Sequence, residues 1–173
     1  RRSEEVEKIL RIIEEKLRKI LTDERIHRNR VRVKIIGRSG LLPKSLQELI
    51  LDVEGATKGY DDHFLNVALA YGGRAEIIDA TKKIAQEIER GELKSDAIYD
   101  QVFENHLYTS YLPKQEPDLI IRTSGEERLS GFLLWQSAYS ELCFLDVYWP
   151  DFRRIDLLRA VRTYLKRRRR FGQ

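Results

Sequence analysis

Methionine is absent from the sequence, and so are long apolar runs. The chain opens on "RRSEEV". A translated chain begins with methionine, which is normally removed only before a small residue, and arginine is not small. We therefore expect the sequence to begin inside a longer protein. No apolar run reaches the roughly 18–20 residues that a membrane-spanning helix needs, so no segment of this sequence is predicted to span a bilayer.

Cysteine and histidine are scarce. The single cysteine, Cys143, excludes an internal disulfide and fits a reducing cytosol. Within "ELCFLDV" it is expected to be a small core residue rather than a nucleophile. His27, His63 and His106 lie too far apart in sequence to indicate a metal motif, and no Ser-His-Asp or Cys-His arrangement is apparent. Histidine-based metal sites and hydrolytic triads are therefore not predicted.

Charge is dense but nearly balanced, with 32 basic and 28 acidic residues and a net charge of +4. The one strong basic cluster is "KRRRRF" at residues 166–171. It is interpreted either as a solvated helix end, whose cations favour the C-terminal dipole, or as a surface for an anionic partner. It lacks interleaved aromatic residues and any nucleic-acid-binding module, so we expect no nucleic-acid partner.

Helical and strand patterns alternate along the chain. Residues 3–21 show apolar positions at helical spacing, and the strand-like segments are apolar on both faces, which is typical of a parallel sheet covered on two sides. We predict an α/β fold with a largely parallel central sheet and helices on both faces, in one domain over residues 1–173. Ligands of such sheets bind beyond the carboxyl ends of the strands. The predicted strands are 31–37, 63–71, 117–123 and 141–149.

One segment at such a strand end, "IRTSGEERLSGFLLWQ" (121–136), combines two arginines with a Gly-Ser turn and a following apolar run. Arg122 and Arg128 with Ser130 are suited to a diphosphate, because guanidinium groups are forked and permanently charged donors. A short helix starting at "LSGFLLWQ" would add positive potential. The alternative is that both arginines pair with Glu126, Glu127 or Glu141 and only fix the loop.

Glu141 enters an apolar segment, which is costly for a carboxylate unless it is paired or bound to a metal ion. One carboxylate alone is a poor Mg²⁺ site, so a second acid or substrate phosphates would have to share the ion. The "YGGR" segment (71–74) could approach an anion, but a tight strand-to-helix turn is the stronger interpretation.

Taken together, these segments resemble a known family. "PDLIIRTSGEERLSGFLLWQSAYSELCFLDVYWPDF" resembles the C-terminal signature of the cis-prenyltransferases, the undecaprenyl diphosphate synthase family, and "LNVALAYGGRAEIIDA" resembles its central motif. "RRSEEV" is similar to the tail of a third motif, and the ending "RRRRFG" is characteristic as well. The resemblance runs from the first residue to the last and favours an archaeal-type member.

The resemblance implies an enzyme that condenses isopentenyl diphosphate repeatedly onto an allylic diphosphate, forming cis double bonds and a long polyprenyl diphosphate. It also implies Mg²⁺ as cofactor, a homodimer, and a cytoplasmic location with contact to the inner membrane surface through the product. By motif, Glu141 would reach the partner subunit's active site and contribute to Mg²⁺ binding, and Arg1 would contact substrate near the allylic site. The diphosphate of isopentenyl diphosphate would be held by Arg122, Arg128, Leu129 and Ser130.

The sequence also departs from the family pattern. The family's N-terminal phosphate-binding loop with its catalytic Asp is absent, as are the first strands, so no catalytic residue is predicted in this sequence and we expect it to be inactive by itself. Ala70 stands where many relatives carry Asn, which puts a polar role there in doubt. The alternative function is a non-catalytic subunit that stabilises an active homologue. The intact "RTSGEERLS" segment speaks against it.

Overall fold

The computed structural model describes residues 3–167 and divides into two compact units, the first ending at Tyr71 and the second beginning at Gly72. Parallel strands and helices alternate in both units, which confirms the predicted α/β class. Arg1 and residues 168–173 of the basic tail lie outside the described residues, and one domain over the whole chain stays a prediction. Within the described range no helix is both long and apolar enough to cross a bilayer.

The first unit places two parallel strands beside three helices. Strands β1 and β2 pair in register from Val31 opposite His63 to Ile36 opposite Ala68. Helices α1 and α3 pack together, and the apolar stripe of α1 contributes Leu17 to a core shared with β1 and α3. The elements are α1 (Ser3–Thr22), α2 (Glu24–Arg28), β1 (Val31–Ile36), α3 (Lys44–Thr57) and β2 (His63–Ala68).

Side chains of α3 close the outer edge of β1. The Thr57 hydroxyl accepts a hydrogen bond from the backbone N–H of Val33 at 3.1 Å, and Glu54 Oε1 accepts one from the N–H of Ile35 at 2.9 Å. These donors would otherwise be unpaired, and an open strand edge invites pairing with another chain. The outward edge of β1 is therefore satisfied within the unit.

Ala70, just after β2, has a φ of 47°, in the left-handed region that L-residues other than Asn, Asp and Gly avoid. Its carbonyl accepts a hydrogen bond from the N–H of Arg38 at 3.2 Å, which fixes this conformation. The neighbouring Gly37 leaves no room for a side chain, because a Cβ there would lie 2.1 Å from the Leu69 carbonyl oxygen. The left-handed backbone at position 70 therefore explains why Asn suits this position in relatives, without any contact between Asn and substrate.

Replacing Ala70 by Asn is expected to stabilise the protein, because Asn tolerates the left-handed conformation. The expected gain is about 0.5–1 kcal/mol, which corresponds to a rise in Tm of about 1–4 °C. Ala97→Asn is the control, since Ala97 lies in a short turn away from the proposed interface and has an ordinary backbone. Thermal denaturation of the full-length gene product checks this; a Tm unchanged or lowered by Ala70→Asn would show that φ does not limit stability there.

The second unit contains the other parallel pair. Strands β3 and β4 run in register from Leu119 opposite Glu141 to Arg122 opposite Phe144. Cys143 is a buried free thiol on β4, as predicted. The elements are α4 (Gly73–Glu89), α5 (Asp100–Glu104), β3 (Leu119–Arg122), β4 (Glu141–Phe144) and α6 (Arg154–Lys166).

The connection from β3 to β4 consists of turns, so the helix considered at "LSGFLLWQ" does not form. Ser130, Gly131 and Leu133 have φ values of 49°, 79° and 47°, which a right-handed helix cannot accommodate. The backbone of this segment therefore follows a series of turns instead of a helix. A positive helix end near Ser130 is accordingly excluded as part of any anion site.

Helix α6 packs on both β3 and β4. Its first turn is fixed by Asp156, whose Oδ2 accepts hydrogen bonds from the backbone N–H of Arg153 at 3.0 Å and from Arg153 Nε at 3.2 Å. Side-chain and backbone hydrogen bonds from Arg153 hold the pKa of Asp156 below its usual value. This cap keeps the carboxylate charged, and α6 therefore starts in a defined place against the strand pair.

Candidate functional site

Arg122 is the last residue of β3 and is only half-buried, but its Nε atom is fully buried. That atom has no hydrogen-bond partner in the part of the chain that the structure describes. An unsatisfied buried donor costs about 1–3 kcal/mol, and more in a charged group. The end of β3 therefore carries a cationic donor that lacks an acceptor.

The turn after β3 is anchored to the segment that follows β4. The N–H groups of Ser124 and Gly125 donate to the carbonyls of Val147 and Leu145 at 2.8 and 3.1 Å. Both turn residues have positive φ, 74° and 67°. A Cβ on Gly125 would lie 3.1 Å from Asp146 Oδ1. The turn is thus held in one conformation, and glycine suits its tightest position.

Arg128 lies farther along the same connection and is largely exposed, with 68% of its side chain accessible. Its guanidinium forms an ion pair with Glu126, as the alternative interpretation of this segment had it. Exposed ion pairs of this kind contribute about 0–1 kcal/mol. An anionic ligand can therefore replace Glu126 at little cost.

Leu129 and Ser130 complete the group of predicted ligands. Leu129 is half-buried and Ser130 is exposed, and the Ser130 hydroxyl has no partner among the described residues. Non-glycine residues in the left-handed region cost of order 1–3 kcal/mol each and cluster at binding sites. Ser124, Ser130 and Leu133 all show this feature within one short connection.

Glu141 lies at the other end of the strand pair. It opposes Leu119, whereas Arg122 opposes Phe144 three residues on. With a rise of about 3.3 Å per strand residue, Glu141 is about 10 Å along the strands from the Arg122 end. Within one chain, therefore, Glu141 and the arginine turn belong to opposite ends of the pair.

The partner of Glu141 is Arg167, so the hypothesis that Arg122 or Arg128 pairs with Glu141 is wrong. Arg167 Nη1 donates to Glu141 Oε2 at 2.7 Å and to the Leu142 carbonyl at 3.0 Å. About a quarter of the Glu141 side chain, 26%, is accessible. Arg167 lies 26 residues away in sequence, and no local pattern indicated the contact.

The described residues offer no group of three or more His, Cys, Asp or Glu side chains that could hold a metal ion. Glu141 nevertheless fits a shared Mg²⁺ site. Its Oε2 is engaged by Arg167, and its Oε1 has no partner within residues 3–167. Mg²⁺ commonly takes one or two carboxylates beside phosphate oxygens and water. Glu141 can therefore supply one ligand, with the others coming from elsewhere.

The "YGGR" segment forms the predicted strand-to-helix turn, with Gly72 immediately before α4. Its second glycine contacts the connection between β3 and β4, which carries the predicted substrate ligands. The N–H of Gly73 donates to the Gly131 carbonyl at 2.7 Å. This contact was not predicted from the sequence. The sequence signal for it is the adjacent glycine pair, because the second glycine is not needed for a turn. Arg1, the candidate for the allylic site, lies outside the described residues.

Comparison with known proteins identifies the family to which the chain is similar. The family model described as "Putative undecaprenyl diphosphate synthase" matches residues 1–172. Two curated relatives named tritrans,polycis-undecaprenyl-diphosphate synthase (geranylgeranyl-diphosphate specific) come from Methanocaldococcus jannaschii and Methanopyrus kandleri. They are 56% and 54% identical over all 173 residues. The chain spans 62% and 63% of their lengths.

Two solved structures are also similar over the whole chain. Lavandulyl diphosphate synthase from Lavandula x intermedia, solved in complex with dimethylallyl diphosphate, has a TM-score of 0.95 and 38% identity. A probable undecaprenyl diphosphate synthase from Campylobacter jejuni has a TM-score of 0.83 and 31% identity. The chain covers 73% and 77% of those chains, respectively.

Proposed function

Because the chain belongs to the undecaprenyl diphosphate synthase family of prenyltransferases, we propose that it condenses isopentenyl diphosphate with an allylic diphosphate to give a long cis-polyprenyl diphosphate. The observation that carries this proposal is the buried Nε of Arg122, which lacks a partner among the described residues at the carboxyl end of a parallel strand. That is where ligands of such sheets bind, and a diphosphate would pair with the charge of this half-buried arginine.

The diphosphate of isopentenyl diphosphate is assigned to the connection between β3 and β4. Half-buried Arg122 supplies one guanidinium group, and exposed Arg128 supplies a second, which exchanges its ion pair with Glu126 for one with the ligand. The Ser130 hydroxyl and the backbone around Leu129 add neutral donors. This arrangement fixes one end of the substrate by charge, so that its isoprenoid end is presented in a constant orientation.

Mg²⁺ is the proposed cofactor, and Glu141 is proposed as one of its ligands. When bound, the ion neutralises charge on diphosphate oxygens. Because Glu141 lies at the opposite end of the strand pair from Arg122, it cannot serve the same arginine turn within one chain. We therefore assign Glu141 to the active site of a second copy. Arg167 holds its carboxylate at the strand end.

A homodimer is the proposed assembly, with part of residues 131–149 at its interface. Tyr139, Tyr148 and Trp149 around β4 are 82%, 70% and 71% exposed. Large exposed aromatic residues in one region are typical of interaction surfaces. Two-fold pairing is the commonest oligomer geometry, and we assign Glu141 at the start of β4 to the surface that faces the other copy. We also propose a cytoplasmic location, with contact to the inner membrane surface through the apolar product.

Geranylgeranyl diphosphate is the proposed primer, because both archaeal relatives carry that specificity in their names at more than half identity. We expect the full-length gene product, supplied with isopentenyl diphosphate and Mg²⁺, to show a kcat/KM for geranylgeranyl diphosphate at least about tenfold above that for dimethylallyl diphosphate. Incorporation of labelled isopentenyl diphosphate measures it. An equal kcat/KM for both primers, or a higher one for dimethylallyl diphosphate, would reject geranylgeranyl diphosphate as the primer. The condensation reaction would still be supported if either primer were elongated.

A further inference from the structure

The first turn of α4 packs directly on the connection that carries the proposed substrate ligands. A Cβ at Gly73 would lie 2.6 Å from the Gly131 carbonyl oxygen and 2.8 and 3.1 Å from Cγ and N of Leu134. Two of these are backbone atoms, which cannot swing aside. The φ of Gly73 is not in the left-handed region, so space rather than conformation requires glycine. Position 73 therefore sets how closely α4 approaches residues 131–134.

Glu76, one turn farther along α4, holds the next part of the same segment. It is 1% exposed, and its Oε1 accepts hydrogen bonds from the N–H of Tyr108 at 2.8 Å and from Gln136 Nε2 at 3.1 Å. Gln136 is also 1% exposed and donates to the Thr109 hydroxyl at 2.9 Å. A buried carboxylate is costly unless it is hydrogen-bonded, and these hydrogen bonds join α4 to the segments around residues 108 and 136.

The two contacts enclose a strained stretch. Gly73 fixes residue 131 and Glu76 fixes residue 136, and between and beside them Ser130, Gly131 and Leu133 have positive φ. Such backbone persists only where the surroundings determine it. Ser130 and Leu129 precede Gly131 directly, so a shift at residue 131 is transmitted to both.

We propose that Gly73 and Glu76 are positioning residues for isopentenyl diphosphate, which act by holding Leu129 and Ser130 in their binding conformation. The inference rests on the proposed function, because it assumes that this connection binds the diphosphate. A purely structural role would lower stability and affect both substrates alike. A positioning role affects the substrate at this connection selectively.

The test is Gly73→Ala in the full-length gene product, with Gly72→Ala as the matched control. A Cβ at Gly72 meets only the Cβ of Ala75, at 4.0 Å, so the control adds the same methyl group without a clash. We expect Gly73→Ala to raise the KM for isopentenyl diphosphate about tenfold or more, while the KM for the allylic diphosphate changes less than about twofold. Gly72→Ala should leave both KM values unchanged.

Calorimetric binding of isopentenyl diphosphate without primer separates the two claims. If the unsubstituted protein binds it and Gly73→Ala binds equally well, the positioning role is wrong and the proposed function stands. If the unsubstituted protein does not bind isopentenyl diphosphate, the proposed function is wrong, and the positioning role is wrong with it. Should Gly73→Ala not fold, Glu76→Leu replaces it, since leucine fills much of the same space but cannot accept the hydrogen bonds from Tyr108 and Gln136. A several-fold rise in the same KM supports the inference, and an unchanged KM overturns it.

Discussion

Arg122→Ala is expected to raise the KM for isopentenyl diphosphate at least about tenfold and to lower kcat, because a charge-assisted hydrogen bond contributes about 1.5–3 kcal/mol. The effect should exceed that of Arg128→Ala, since Arg122 Nε is buried whereas 68% of the Arg128 side chain is exposed. Steady-state kinetics of the full-length gene product, with the primer saturating, measure both variants.

Arg122→Lys and Arg90→Ala are the controls for this prediction. Lysine keeps the charge but lacks the forked donors, so it should recover only part of the binding. Arg90 forms an exposed pair with Glu92 at the end of α4 and should not matter for kinetics. If Arg122→Ala and Arg128→Ala both retain the normal KM for isopentenyl diphosphate, the diphosphate does not bind at this connection.

Glu141→Gln is expected to lower kcat and to raise the Mg²⁺ concentration needed for half-maximal activity. The expected rise is at least about tenfold, because changes to residues that support a metal site commonly weaken metal binding by about 10–100-fold. Glutamine preserves the shape and the acceptor facing Arg167 but removes the charge that favours the ion. Activity is measured over a Mg²⁺ titration. Sedimentation at micromolar concentration should show a dimer for the variant and for the unsubstituted protein.

Mixing Glu141→Gln with Arg122→Ala tests whether Glu141 acts across the interface. In each mixed dimer one active site would carry both substitutions and the other would carry neither. Random pairing should therefore restore about a quarter of full activity, because half of the dimers are mixed and each has one intact site. If Glu141 acted within its own chain, every site would carry one substitution. Mixed dimers that form without recovering activity would contradict the assignment in trans.

Much of the fold was accessible from residue patterns. Residues 31–36 begin with alternating apolar and basic side chains, residues 63–68 are mostly apolar, and both segments form the predicted strands. The connection after β3 was harder, because "FLLWQ" has the composition of a helix. Its course is decided by positive φ at Ser130 and Leu133, which are residue types that give no local signal for that conformation. Tertiary contacts with α4 hold that backbone.

The candidate site was likewise only partly predictable. The two arginines and Ser130 lie in one continuous segment, so their closeness in sequence was enough to predict that they lie in the same connection. The Arg167 contact with Glu141 depends on how α6 ends against β4, and no periodicity encodes it. Glu76 could have been found, because Gly73, Glu76, Ala80 and Ile84 follow one helical face and all are buried. A charged residue on an otherwise apolar face marks a buried contact.

The geometry of the newly formed double bonds is the measurement that tests this account most directly. The full-length gene product is incubated with geranylgeranyl diphosphate, isopentenyl diphosphate and Mg²⁺, and the product is examined by mass spectrometry and nuclear magnetic resonance. We predict a polyprenyl diphosphate in which every added unit carries a cis double bond. Trans double bonds in the added units, or no elongation by a folded and dimeric protein, would contradict the assignment; the latter result would favour a non-catalytic partner subunit.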